Sequence, residues 1–301
     1  MIDDKSDEFE RLRVRPGTVV RLDDWNTRWI SSGKLKDLDE DDLKDEAKKF
    51  IEARVEEVAD SQELLWADNR YAMLLVFQGM DAAGKDGTIE HVMEGVNPAG
   101  VRVVSFKEPS REDLDHDFLW RYVKALPEYG QIGVFNRSYY EDVGVVRVFP
   151  ELLEQRAMHD REVDDTFWAE RFEDINVFER HLVRNGTIVL KFFLHVSRKE
   201  QKHRLLDRLD DPDKHWKFSA SDLKSREHWD EYARVFESML TYTSTGWAPW
   251  WVIPADGKWA MRAIVAKVLT NEIRRLDLRF PPADDAKRAL MRRAREALER
   301  E

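Results

Sequence analysis

Five short apolar runs, each followed by a stretch of helical periodicity, constrain the fold of this chain more than any other feature. They occupy 72–77, 101–106, 132–135, 188–195 and 251–254. Continuous rather than alternating apolar character marks strands buried on both faces, as in a parallel sheet. Around them, apolar residues recur at helical spacing over 41–65 (Leu43, Ala47, Phe50, Ile51, Val55, Val58), and helices are also expected over 167–184, 227–243 and 258–278. Strands alternating with helices place helices on both faces of the sheet. The expectation is one α/β domain over 1–281, opening with an arm and helix (1–65) in which Pro16-Gly17 turns the chain and Trp25 and Trp29 serve as anchors. Pro281-Pro282 then sets off a charged C-terminal helix, 282–301.

The first run leads into Gly79-Met80-Asp81-Ala82-Ala83-Gly84-Lys85, which fits the G-x-x-x-x-G-K part of a Walker A loop. A buried strand before it and a helix-compatible run at 88–93 supply the context such a motif requires. Glycines let backbone N–H groups turn onto phosphate oxygens, and the following helix N-terminus adds partial positive charge. Lys85 would neutralise charge on the transferring group. Asp86-Gly87-Thr88 departs from the pattern, because position 86 is usually the serine or threonine that holds magnesium. Asp81, with Thr88 or Asp86 in support, is the alternative metal holder.

Composition narrows the chemistry. The 301 residues contain no cysteine, which excludes disulfides, thiolate catalysis and cysteine-ligated metal sites. Lys and Arg number 49 against 60 Asp and Glu, a net charge of −11, so any polyanion must meet a locally basic surface. No broad basic stripe suggests a nucleic-acid partner. The apolar run at 187–196 is too short to span a bilayer and the N-terminus is acidic, so the expectation is a cytoplasmic protein with no membrane partner.

Two further strand ends attract attention, since ligands of open α/β sheets bind at the carboxyl ends of strands. Past the second run stand Lys107 and, on an expected helix, Arg121; both are either surface residues or phosphate holders. The third run enters Asn136-Arg137-Ser138-Tyr139-Tyr140-Glu141-Asp142. Arg137 could clamp a phosphoryl group bidentately, while Asn136 or Ser138 could cap a helix start. After the fourth run, 198–217 holds seven basic residues against five acidic ones. Arg204 and Arg208, four apart, share a helix face, where like charges repel unless an anion lies between them. Asp211-Pro212 breaks that helix, and Lys214 and Lys217 follow in a loop. This is either a lid over polyphosphate, about 198–222, or a solvated helix laced with Arg–Asp pairs.

Taken together, QGMDAAGKDGTI (78–89), NPAGVRVVSFKEPS (97–110), FNRSYYEDV (135–143), KFFLHVSRKEQKHRLLDRLDDPDKHWKFSASD (191–222) and TSTGWAPWWVIPA (243–255) resemble the polyphosphate kinase 2 family. The resemblance covers roughly residues 13 to 281 and leaves the terminal helix outside. It implies a three-layer α/β/α P-loop kinase-like fold with a five-stranded parallel sheet, a helical lid and helical N- and C-terminal extensions. It also implies reversible phosphoryl transfer between inorganic polyphosphate and nucleotides with magnesium, or manganese in its place. Family function carries over onto Asp81, Lys85, Arg137, Glu141, Arg204 and Arg208, with Asp81 and Glu141 placing the metal. Members limited to one acceptor show Asp, then Asn five residues later, in the third segment; here these are Asn136 and Glu141. That resembles the subgroup accepting both nucleoside mono- and diphosphates. A homo-oligomer, dimer or tetramer, is expected, and an ATP-dependent nucleotide or small-molecule kinase on the same scaffold is the alternative.

Overall fold

The computed structural model describes residues 9–29, 40–154 and 161–301. The chain alternates helix and strand from α1 (Glu40–Asp68), β1 (Ala72–Gly79) and α2 (Lys85–Val92) to β2 (Val101–Ser105). Single turns α3 (Arg111–Leu114) and α4 (Trp120–Val123) precede β3 (Ile132–Asn136), and α5 (Val145–Val148) and α6 (Glu151–Glu154) follow it. Then come α7 (Asp165–Arg184), β4 (Thr187–His195), α8 (Arg198–Asp210), α9 (Ala220–Glu227), α10 (Trp229–Thr243) and β5 (Trp250–Pro254). The last helices are α11 (Lys258–Arg274) and α12 (Asp285–Leu298).

The five strands form one parallel sheet in the order β2-β3-β1-β4-β5. β1 is central, and Met73 to Phe77 are wholly buried, each contributing about 1.5–3 kcal/mol by leaving water. Helices α1, α2 and α11 pack together as one layer, and α7 and α10, with α7 against β4, form the other. Strand order reverses beside β1, so its carboxyl end opens at the switch point where α/β sheets bind ligands.

Several expectations need revision. The run at 101–106 is not a buried core strand: β2 lies at the sheet edge, with Arg102, Val103 and Ser105 exposed. Its valines fit a pleated edge as well as a centre, which is why composition misled. The basic loop after α8 is not irregular either, since a 3-10 helix, Pro212–Lys217, and α9 occupy it. Part of the expected N-terminal arm lies outside the described residues. Its described stretch crosses the sheet end, with Val14 N–H donating to the Trp250 carbonyl and Arg13 bridged to Trp251. Trp25 and Trp29 pack on the core there, Trp29 stacking on Phe9 at 5.3 Å. None of α12 is buried.

Candidate active site

The loop between β1 and α2 is shaped by two glycines. A side chain at Gly79 would put its Cβ 2.7 Å from the Leu194 carbonyl oxygen, so β1 and β4 could not approach as they do. Gly84 has φ +105° and precedes the first residue of α2, a left-handed turn that glycine adopts without strain. Ala82 is also left-handed, φ +59°, and pays for it in strain of the kind that persists only when neighbours enforce it. Lys85 opens α2 and folds back across the loop, its Nζ donating to the carbonyls of Gly79 (2.8 Å) and Met80 (3.2 Å). Burial first, and Arg137 nearby second, push the Lys85 ammonium below its usual pKa, so a polyanion arriving there would be welcomed. Thr88 Oγ1 donates to the Gly84 carbonyl and completes the helix start.

Arg204 enforces the loop. Nη1 donates to the carbonyls of Ala82 (3.1 Å) and Ala83 (2.8 Å), Nη2 to those of Ala255 (2.5 Å) and Asp256 (3.2 Å), and Nε to Glu200 (2.8 Å). These five bonds equal the N–H groups a guanidinium owns. Arg208 goes elsewhere, to the Asp222 carboxylate at 3.0 Å. The two arginines therefore do not face one common anion as their spacing suggested; each repels the other less because each has its own acceptors.

Arg137 stands at φ +62°, a second left-handed residue, with its N–H held by the Phe77 carbonyl. That backbone sends its guanidinium to Asp81 Oδ1 at 2.8 Å. Glu141 chiefly, and Asp81 after it, raise the pKa of Arg137 against the effect of burial. Asp81, Arg137 and Glu141 line a cleft of about 450 Å³ together with Gly79 and Met80 of the loop. Lys107 and Arg121 line it too, Arg121 being fixed by bonds to the Lys107 carbonyl (2.9 Å) and the Tyr122 hydroxyl (2.8 Å). Phe106, Phe149, Tyr232 and Phe236 supply apolar walls.

Other expected residues lie apart. Asn136 does not face the cleft with a free amide: Nδ2 donates to Asp86 and to Ser105 Oγ, tying α2, β2 and β3 together. Lys214 pairs with Asp211 at 2.6 Å and Lys217 sits over the Trp216 ring, both exposed and outside the cleft lining. Sequence reasoning also missed residues. Buried Gln201 donates to the Asp81 carbonyl at 3.0 Å, and it is one helical turn before Arg204 on the same face, a signal that was legible. Asp222, buried at the mouth beside Arg208, has its pKa raised by burial and then by the charge of Asp81.

A glycine loop with a buried lysine beside a carboxylate–guanidinium cleft is an arrangement suited to phosphoryl transfer. The family model described as "Polyphosphate kinase 2 (PPK2)" matches residues 41–281. The chain belongs to the polyphosphate kinase 2 family. It is 44% identical over 290 residues to the ADP-polyphosphate phosphotransferase of Rhodopseudomonas palustris, covering 96% of this chain and 98% of that one. It is 41% identical over 281 residues to the AMP/ADP-polyphosphate phosphotransferase of Meiothermus ruber, covering 92% and 97%. The crystal structure of polyphosphate kinase 2 from Arthrobacter aurescens superposes with a TM-score of 0.84 at 36% identity, over 96% of this chain and 98% of the other. As a polyphosphate kinase 2 enzyme, the protein is a polyphosphate:nucleotide phosphotransferase on the expected three-layer fold. No helix among the described residues is long and apolar enough to cross a membrane.

Proposed function

We propose that this enzyme moves phosphoryl groups from polyphosphate to AMP and onward to ADP, reversibly, through the cleft beside Lys85. The observation that carries the reading is the left-handed Arg137, whose guanidinium holds Asp81 at 2.8 Å on a cleft that Glu141 also lines, beside the glycine loop. Asn136 and Glu141 in the third segment, and the relative from Meiothermus ruber named for both acceptors, support a site that takes mono- and diphosphates.

In the reaction a terminal phosphate oxygen of the nucleotide attacks the end phosphoryl of the polyphosphate chain, and the bond to the next bridging oxygen breaks. The attacking oxygen is already anionic, so positioning and charge neutralisation carry the catalysis rather than a strong base. Lys85, the loop amides and the N-terminus of α2 hold the donor phosphates. Arg137 stabilises the equatorial oxygens, and Lys107 and Arg121 hold phosphates of the acceptor, whose base packs on the apolar walls. Arg204 acts from behind, keeping the loop in shape.

Magnesium fits this donor set. It binds through one or two carboxylates completed by substrate phosphates and water, and Asp81 and Glu141 are two carboxylates on one cleft. They would hold the ion, which when bound supplies charge neutralisation on the phosphates. The test is incubation of purified enzyme with polyphosphate, magnesium and AMP while ADP and ATP are followed separately. ADP should rise first and ATP follow from it; ADP alone refutes the dual-acceptor reading, and turnover only with ATP as donor refutes polyphosphate as the donor.

A further inference from the structure

Beneath the segment that carries Arg137 and Glu141 lies a charged pair where charge is costly. Lys191 sits within β4 and Glu179 on α7, and neither side chain has any exposed surface. Lys191 Nζ donates to Glu179 Oε2 (2.7 Å), the Thr243 carbonyl (2.7 Å) and the Tyr140 hydroxyl (2.8 Å), one acceptor for each N–H. The Tyr139 and Tyr140 hydroxyls both donate to Glu179 Oε1, at 2.9 and 2.8 Å.

A pair this deep is a poor stabiliser, because apolar residues of similar volume often do as well or better. Its reach is more informative. Tyr139 and Tyr140 lie between Arg137 and Glu141 in sequence and form the 3-10 turn Tyr139–Asp142. Ser138 accepts from Gln78 Nε2 at 3.2 Å, and Asp142 from the Tyr122 hydroxyl at 3.1 Å. Of the six residues from 137 to 142, four are buried and tied to the interior. The remaining two, Arg137 and Glu141, line the cleft, with buried Asp142 reaching its wall.

We propose that Glu179 and Lys191 are positioning residues: by gripping both tyrosine hydroxyls they fix the rotation of this turn, and so the direction of Arg137 and Glu141 against the phosphate loop. The proposal rests on the reading of Arg137 and Glu141 given above. Nothing in the pair touches substrate; it acts through the two tyrosines.

The deciding variant is the double substitution Glu179→Met/Lys191→Met, which removes both charges and keeps the volume. It also strands the two tyrosine hydroxyls and the Thr243 carbonyl, so its thermal midpoint should fall while the fold survives. Its KM for nucleotide should hold, while kcat falls about ten- to hundredfold from misaligned groups. Adding Arg137→Ala to the double variant should cost less than Arg137→Ala alone, since residues acting through one another are not additive. A folded double variant with parental kcat, or full additivity with Arg137→Ala, overturns the proposal. Should the double variant not fold, Tyr139→Phe/Tyr140→Phe decides, with a lowered kcat at constant KM expected and an unchanged kcat overturning. If Arg137→Ala and Glu141→Gln alone keep full activity, the site reading itself fails. If they lose it while the apolar double variant does not, only the positioning role fails.

Discussion

Arg204 reaches two loop carbonyls with one nitrogen and the carbonyls after β5 with the other. Replacing it with methionine leaves buried acceptors without donors, at about 1–3 kcal/mol for each group so stranded. Urea denaturation should therefore show Arg204→Met destabilised by at least about 2 kcal/mol. Arg204→Lys should recover little, because three donors on a flexible stem cannot bridge both sites. A lysine variant with parental stability and activity would show that the charge alone matters. Places set by a local motif were legible in advance: loop spacing marked where Asp81 and Lys85 stand, and the strand end marked where Arg137 meets Asp81. Asp222 and the Glu179–Lys191 pair were not named, because each contact is made to a residue on another element, while Gln201 had one local sign, its place a turn before Arg204. Lys191 did leave a trace, a cation inside an apolar strand that must find a counter-charge.

At the scale of elements, apolar runs identified all five strands, and the glycine loop stands at the end of the central one. They could not say that β2 is an edge, because one-sided pairing leaves no periodic mark in five residues. Nor did periodicity reveal how the end of α1 is fastened. There Asp68 accepts from Arg70 Nε at 2.5 Å and from the Arg279 N–H at 3.0 Å, tying the chain after α11 to α1. The hydrogen bond from Arg70 lowers the Asp68 pKa to about 2. A carboxyl depressed in the folded state stabilises it fully above the unfolded value and loses that contribution as pH falls through the folded one. Asp68→Asn should accordingly be less stable than the parent at pH 7, with the gap closing as pH drops below about 4. Denaturation midpoints measured across that range check this; a gap independent of pH would place the effect in packing instead.

For the molecule as a whole, an acidic protein that takes a polyanion must confine its positive potential to one cleft. Lys107, Arg121 and Arg137 line the cleft beside the carboxyl ends of β2 and β3, and Lys85 folds across the loop that edges it. If the cleft holds the substrates as proposed, added salt should raise KM for long polyphosphate more than for the nucleotide, whose base the apolar walls would also hold. The contrast should grow between about 0.1 M and 1 M, where the screening length shrinks from about 10 to 3 Å. Equal salt dependence of the two KM values would mean that both ligands are held mainly by charge.

The bonds from Arg204 to Ala255 and Asp256 have a consequence for synthesis. The glycine loop near residue 80 is anchored through Arg204 to backbone that leaves the ribosome some 175 residues later. A nascent chain thus carries its glycine loop for most of translation without the full brace that shapes it, and the loop is tied to residues 255 and 256 only as the last strand is released.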